Sequence, residues 1–135
     1  MEKSIVENYF KFKNSNEYSP LVLAYMGDAV YELYIRSMIV ADKNMPVNKL
    51  HKEATSYVKA KAQSEILEKI LPYLTEEETA IYKRGRNAHS YTSAKNADIV
   101  DYRRATGFEA LMGYLYITGK KERIDELLKE GLKEE

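Results

Sequence analysis

The sequence predicts an all-α bundle, and three observations carry the prediction. Alternating apolar and polar runs are absent, as are the Asn-Gly and Asp-Gly pairs that close β-hairpins. Apolar residues recur instead with a period near 3.6. Residues that start and stop helices bracket those stretches. A lead-in segment, 1–18, precedes a helical core spanning 19–132, and the 135 residues read as a single domain. Ser19-Pro20 is an N-cap followed by proline at the first helical position, which opens a helix to about Val40. "ADKNMP" breaks it, and Pro46 starts a second long helix that runs on through "EILEKIL". Its apolar positions are Val47, Leu50, Ala54, Tyr57, Val58, Ala62, Ile66 and Ile70, and Pro72 ends or kinks it. Thr75 with Glu78 forms a capping box for a short helix toward Arg84. Residues 85–97 carry Gly, Asn, Ser and Thr without a period and read as a loop. "DYRRATGFEALMGYLYIT" is a further long helix closed by Gly119, and a last amphipathic helix, 121–132, lines up Ile124, Leu127, Leu128 and Leu132.

Hydrophobic residues make up 44% of the chain, enough for a core, and there are no cysteines. Disulfides, thiolate nucleophiles and cysteine-ligated metals are therefore excluded. No signal-peptide core and no long uncharged apolar run is visible, so a cytoplasmic protein is expected. Net charge is zero, but its distribution is uneven. Segment 83–104 holds six Lys/Arg against two Asp, one basic stretch on a mildly acidic body.

Two helices share an oddity. "LAYMGDAVYELYIR" and "GFEALMGYLY" each place an acid soon after a glycine inside an apolar, tyrosine-bearing helix: Asp28 in one, Glu109 in the other. Asp28 shares a helical face with Ala24, Tyr25, Tyr31 and Glu32, and Glu109 with Ala105, Thr106, Met112 and Gly113. Glu32 has Arg36 four residues on and reads first as half of an ion pair. Asp28 and Glu109 have no basic residue at helical spacing. Glycines at 27, 107 and 113 would let the two helices approach closely and bring the two acids together. Two carboxylates form an oxygen site for a hard cation, Mg²⁺ with Mn²⁺ as the alternative. Mg²⁺ typically completes its shell with water and substrate phosphate, which implies a phosphate-bearing substrate.

"YMGDAV" resembles the signature helix of ribonuclease III, and "GFEALMGYLY" its second acidic motif. "KRGRNA" and "YRRATGFEALMGYLYITG", with no double-stranded-RNA-binding domain expected, are closer still to the small class called Mini-ribonuclease III. The resemblance runs from about Leu21 to Leu128. It implies a ribonuclease III-like helical endonuclease domain in which Asp28 and Glu109 are the metal-binding catalytic acids. Two acids of full-length ribonuclease III are replaced here by Ala24 and Thr106, as in the small class. The family fold implies a homodimer, with Tyr25 at the position where an aromatic enters the partner chain; Tyr25 as ordinary core stays open beside that.

The resemblance implies hydrolysis of double-stranded RNA to staggered ends with 5′-phosphate and 3′-hydroxyl termini. Precursor large-subunit (23S) ribosomal RNA is the implied substrate, and a ribosomal protein is left open as a further partner. The catalytic domain must then grip the duplex itself. Lys83, Arg84, Arg86 and Lys95, with Asn87, Ser90 and Thr92, are the loop residues placed to reach phosphates or 2′-hydroxyls. Tyr82, Tyr91 and Tyr102 read as packing residues, and Lys59, Lys61 and Gln63 as an exposed face. The competing readings are a non-catalytic RNA- or ribosome-binding protein of the same fold and an all-α nucleotide pyrophosphatase. The second lacks a Glu-Glu-x-x-Glu array, its only acidic cluster, 76–78, lying in a first helical turn.

Overall fold

The computed structural model describes residues 10–88 and 98–133, and among them there is no strand. The helices are α1 (Pro20–Asp42), α2 (Val47–Val58), α3 (Ala60–Ile70), α4 (Glu76–Asn87), α5 (Ile99–Ile117) and α6 (Lys121–Gly131). Their starts follow local chemistry. Ser19 Oγ accepts from the Val22 amide at 3.2 Å, leaving Pro20 in a first turn that needs no proline N–H. Thr75 and Glu78 exchange both capping-box bonds, at 3.1 and 2.9 Å. Asp98 caps α5 through the Val100 amide at 2.7 Å, so that helix begins before Asp101, earlier than its apolar pattern suggests. At the other end Gly119 takes a φ of +74°, the left-handed turn that lets the Lys120 amide reach back to the Leu115 carbonyl.

α5 is the axis of the core. It packs against α1, α3, α4 and α6, most extensively against α1, while α2 lies over α1 and α3. A helix surrounded this way must be apolar on every side, and Phe108, Ala110, Leu111, Met112 and Leu115 are fully buried. Each large side chain so buried contributes about 1.5–3 kcal/mol. α6 is fastened by Arg123, whose guanidinium donates to both Glu78 carboxylate oxygens at 2.8 Å and to the Tyr73 carbonyl at 2.7 Å. That guanidinium holds the buried Glu78 below the usual carboxylate range. No helix among the described residues is long and apolar enough to cross a membrane.

Two sequence expectations are corrected. The second long helix is two: Lys59, with ψ of 154°, breaks it into α2 and α3. Carbonyls freed at the break are taken by side chains, Tyr57's by the Tyr31 hydroxyl at 2.8 Å and Val58's by Gln63 Nε2 at 2.7 Å. Val47, expected on the apolar face, is 79% exposed. The second correction concerns α4, which continues to Asn87 through Gly85. That glycine is a packing residue, since a Cβ there would stand 2.7 Å from Ala110 Cβ on α5. Lys83, Arg84, Arg86 and Asn87 therefore project from a helix end and not from a loop.

Candidate active site

The acids meet because two helices cross backbone to backbone. A Cβ on Gly27 would lie 1.6 Å from the Glu109 carbonyl oxygen, and one on Gly113 would lie 1.9 Å from that of Leu23. Side chains of any size would hold the axes at the usual 8–10 Å separation; hydrogens let them close further. Gly107 has a different neighbour, Tyr82 of α4, and takes no part in this crossing. The register leaves Asp28 and Glu109 side by side. Asp28 is exposed, at the border between the buried face of α1 (Ala24, Gly27, Tyr31) and the open one. Glu109 is half-buried.

Burial, and then the charge of Asp28 beside it, push the Glu109 carboxyl up to about 8, with Gln63 opposing the shift by donating a hydrogen bond. Gln63 Nε2 reaches Glu109 Oε2 at 3.3 Å. Gln63 is 3% exposed, so its expected place on an exposed face is overturned. The break at Lys59, invisible in the apolar period, rotates it inward. No described Lys or Arg pairs with Asp28 or Glu109. Glu32 does form its ion pair, with Arg36 at 3.0 Å. Two carboxylates crowded without a cation can share a proton or hold a hard metal ion.

The other expected site residues lie apart from this pair. Lys83 and Arg84 are exposed on the last turns of α4, and Arg86 lies over the Tyr82 ring at 5.6 Å with its Nε donating to Asn87 at 3.1 Å. Lys83, Arg86 and Asn87 line a cleft of about 520 Å³ with Arg103 and Arg104 of α5. Arg104 is paired with Glu68 of α3, whereas Arg103 is exposed. Tyr82 is core, at 4% exposure. Lys95, Ser90, Thr92 and Tyr91 lie outside the described residues. Tyr25 is 78% exposed, which removes it from the protomer's core. It belongs to a stripe along α1, Val22, Tyr25, Leu33 and Val40, on the side opposite α5.

The chain is similar to proteins already known. A model of the Ribonuclease III domain matches residues 21–120. Mini-ribonuclease 3 of Clostridium tetani is 51% identical over 130 residues, covering 96% of this chain and 86% of its own. Mini-ribonuclease 3 of a Thermoanaerobacter species is 59% identical over 110 residues, 82% of this chain and 78% of its own. A crystal structure of a Fusobacterium nucleatum protein superposes with a TM-score of 0.80 at 34% identity, covering 87% of this chain and 96% of that one.

Proposed function

The chain belongs to the ribonuclease III family, and on that premise we propose that it is a Mg²⁺-dependent endoribonuclease cutting double-stranded RNA at the Asp28–Glu109 pair. Family membership makes it an endoribonuclease; the cation, the catalytic residues and the natural RNA are our reading. The single observation that carries it is the adjacency of Asp28 and Glu109 across the α1–α5 crossing, one open to solvent and one held beneath it. We take precursor large-subunit ribosomal RNA, in the cytoplasm, as the natural duplex.

The donor set fits a hard divalent cation. Both donors are carboxylates, they repel one another, and no described basic residue compensates them. Asp28 and Glu109 would hold Mg²⁺ or Mn²⁺, which when bound polarises the phosphodiester and makes water a better nucleophile. Asp28 presents its carboxylate from the open side. Glu109 gives up the proton that its surroundings favour, so cation affinity rises with pH toward about 8. The test is incubation with a long RNA duplex, a single strand and nucleoside triphosphates, each with and without Mg²⁺, and with an Asp28→Asn control. Cleavage of the duplex alone is expected; an intact duplex, or triphosphate hydrolysis in its place, would overturn the reading.

The duplex needs a grip, and the α4 end with Arg103 supplies exposed cations and an amide. A-form RNA hides its base edges in a narrow major groove, so these contacts read phosphates and shape. Each phosphate contact contributes roughly 0.9 to the slope of log affinity against log salt concentration. The double variant Arg84→Gln, Arg86→Gln should flatten that slope by about 1–2. An unchanged slope in filter-binding titrations would take α4 out of the interface.

The apolar stripe on α1 is a surface that a second copy fits. Tyr25, Leu33 and Val40 are each more than half exposed on one side of one helix, which is unusual for an isolated surface. We read it as the homodimer interface, with Tyr25 entering the partner. Sedimentation should give twice the 15.6 kDa protomer mass, and Leu33→Glu should return one protomer mass with helicity retained. A wild-type monomer at micromolar concentration would contradict the assignment.

A further inference from the structure

The break between α2 and α3 ties the two acidic helices to one corner of the chain. Tyr31, which takes the Tyr57 carbonyl, sits on α1 three residues beyond Asp28. Its ring meets Phe108, the neighbour of Glu109, edge-on at 5.1 Å. Gln63, which takes the Val58 carbonyl, also touches Glu109 directly. An unbroken helix would have no free carbonyls here, and its Gln63 would not turn inward.

The orientation of the Gln63 amide is fixed. Its Nε2 must face the Val58 carbonyl at 2.7 Å, because the flipped amide would set two acceptors against each other. That leaves Oε1 buried with no partner among the described residues. An unpaired buried acceptor is destabilising; an aliphatic side chain of similar volume would remove it but would leave the Val58 carbonyl without its donor. The fold uses the Nε2 bond to Val58 and gains nothing from this acceptor, while the same Nε2 also reaches the acidic pair.

We propose that Gln63 is a positioning residue of the acidic site: anchored on the Val58 carbonyl, its amide N–H holds the Glu109 carboxylate beside Asp28 in the arrangement a divalent cation requires. The proposal rests on the reading of Asp28 and Glu109 as the cation-holding pair. Hydrogen-bond partners of metal-ligating carboxylates fix the ligand's orientation, and their loss typically weakens metal binding about ten- to a hundredfold.

The experiment compares wild type, Gln63→Leu and Gln63→Asn. Asparagine keeps a buried amide but is one methylene too short to bridge Val58 and Glu109. Binding is read with Mn²⁺ alone, from the paramagnetic resonance of the free ion, and folding from circular dichroism. Both variants should fold, bind Mn²⁺ about ten- to a hundredfold more weakly, and lose kcat on an RNA duplex while KM is held. Wild-type Mn²⁺ affinity in either folded variant would overturn the proposal, whatever its melting temperature. Failure of both variants to fold would make Gln63 a strut of the α2–α3 corner and overturn it equally. If wild type itself binds no Mn²⁺ and cuts no duplex, the reading of the acidic pair fails first, a result distinct from a Gln63 variant that behaves as wild type.

Discussion

Alanine in place of Gly27 is expected to remove at least about 3 kcal/mol of folding stability, a large part of the 5–15 kcal/mol a domain of this size has. Two effects oppose each other. Alanine favours a helix interior by about 1 kcal/mol over glycine, which alone would stabilise α1. Against this, its Cβ would fall 1.6 Å from the Glu109 carbonyl oxygen and 2.7 Å from the Gly113 amide nitrogen. Those atoms are backbone in a buried helix, so no rotamer change can relieve the clash, and α1 and α5 must separate. Separation opens voids around Leu23, Tyr31, Phe108 and Met112, all fully buried at present. Urea denaturation followed by circular dichroism measures the loss. A Gly27→Ala protein as stable as wild type would mean that the crossing is not as close as described, and the adjacency of the acids would fall with it.

That crossing also shows what the sequence could and could not disclose. Caps are local, so Ser19-Pro20 and the Thr75–Glu78 box marked helix starts without any knowledge of the fold. Glycine is ambiguous because it serves two ends. At 119 it turns the chain, at 27 and 113 it lets helices touch, and at 85 it does the latter where a loop was expected. Only the partner helix distinguishes these uses. The break at Lys59 was illegible for a related reason. "VKAKAQ" has strong helix propensity, and what opens it is tertiary: a tyrosine from α1 and the glutamine of α3 replacing the lost backbone bonds. The adjacency of Asp28 and Glu109 was legible because an acid without a basic neighbour and a glycine recur in both apolar helices, although of the glycines expected at the crossing only 27 and 113 make it, whereas Gln63 carried no such pattern. The exposed stripe of α1 was readable only as general apolarity, since a helix with a buried face on one side and exposed apolar residues on the other shows no polar face.

Asp28→Asn is expected to abolish cleavage while making the metal-free protein more tolerant of high pH. With the cation held as proposed, a ligating carboxylate is worth several kcal/mol at the transition state, so removing Asp28 from the pair should lower kcat by roughly a thousandfold or more. The stability effect follows from Glu109. Its carboxyl titrates near 8 in the folded protein against an ordinary value of 4.5, raised by burial first and by the Asp28 charge second. A group whose folded value is raised contributes stability that is full below the unfolded value and is lost as pH climbs toward the folded one. Metal-free wild type should therefore melt at a lower temperature at pH 9 than at pH 5. Asparagine at 28 removes the like charge and leaves the burial, so the variant should lose less over the same window. Added Mn²⁺ should raise the wild-type melting temperature at pH 8 and leave that of Asp28→Asn unchanged, because only the first has a complete site to bind it. Equal pH losses in the two proteins would show that Asp28 does not act on Glu109. Undiminished cleavage by the variant would show that the chemistry of this endoribonuclease lies elsewhere.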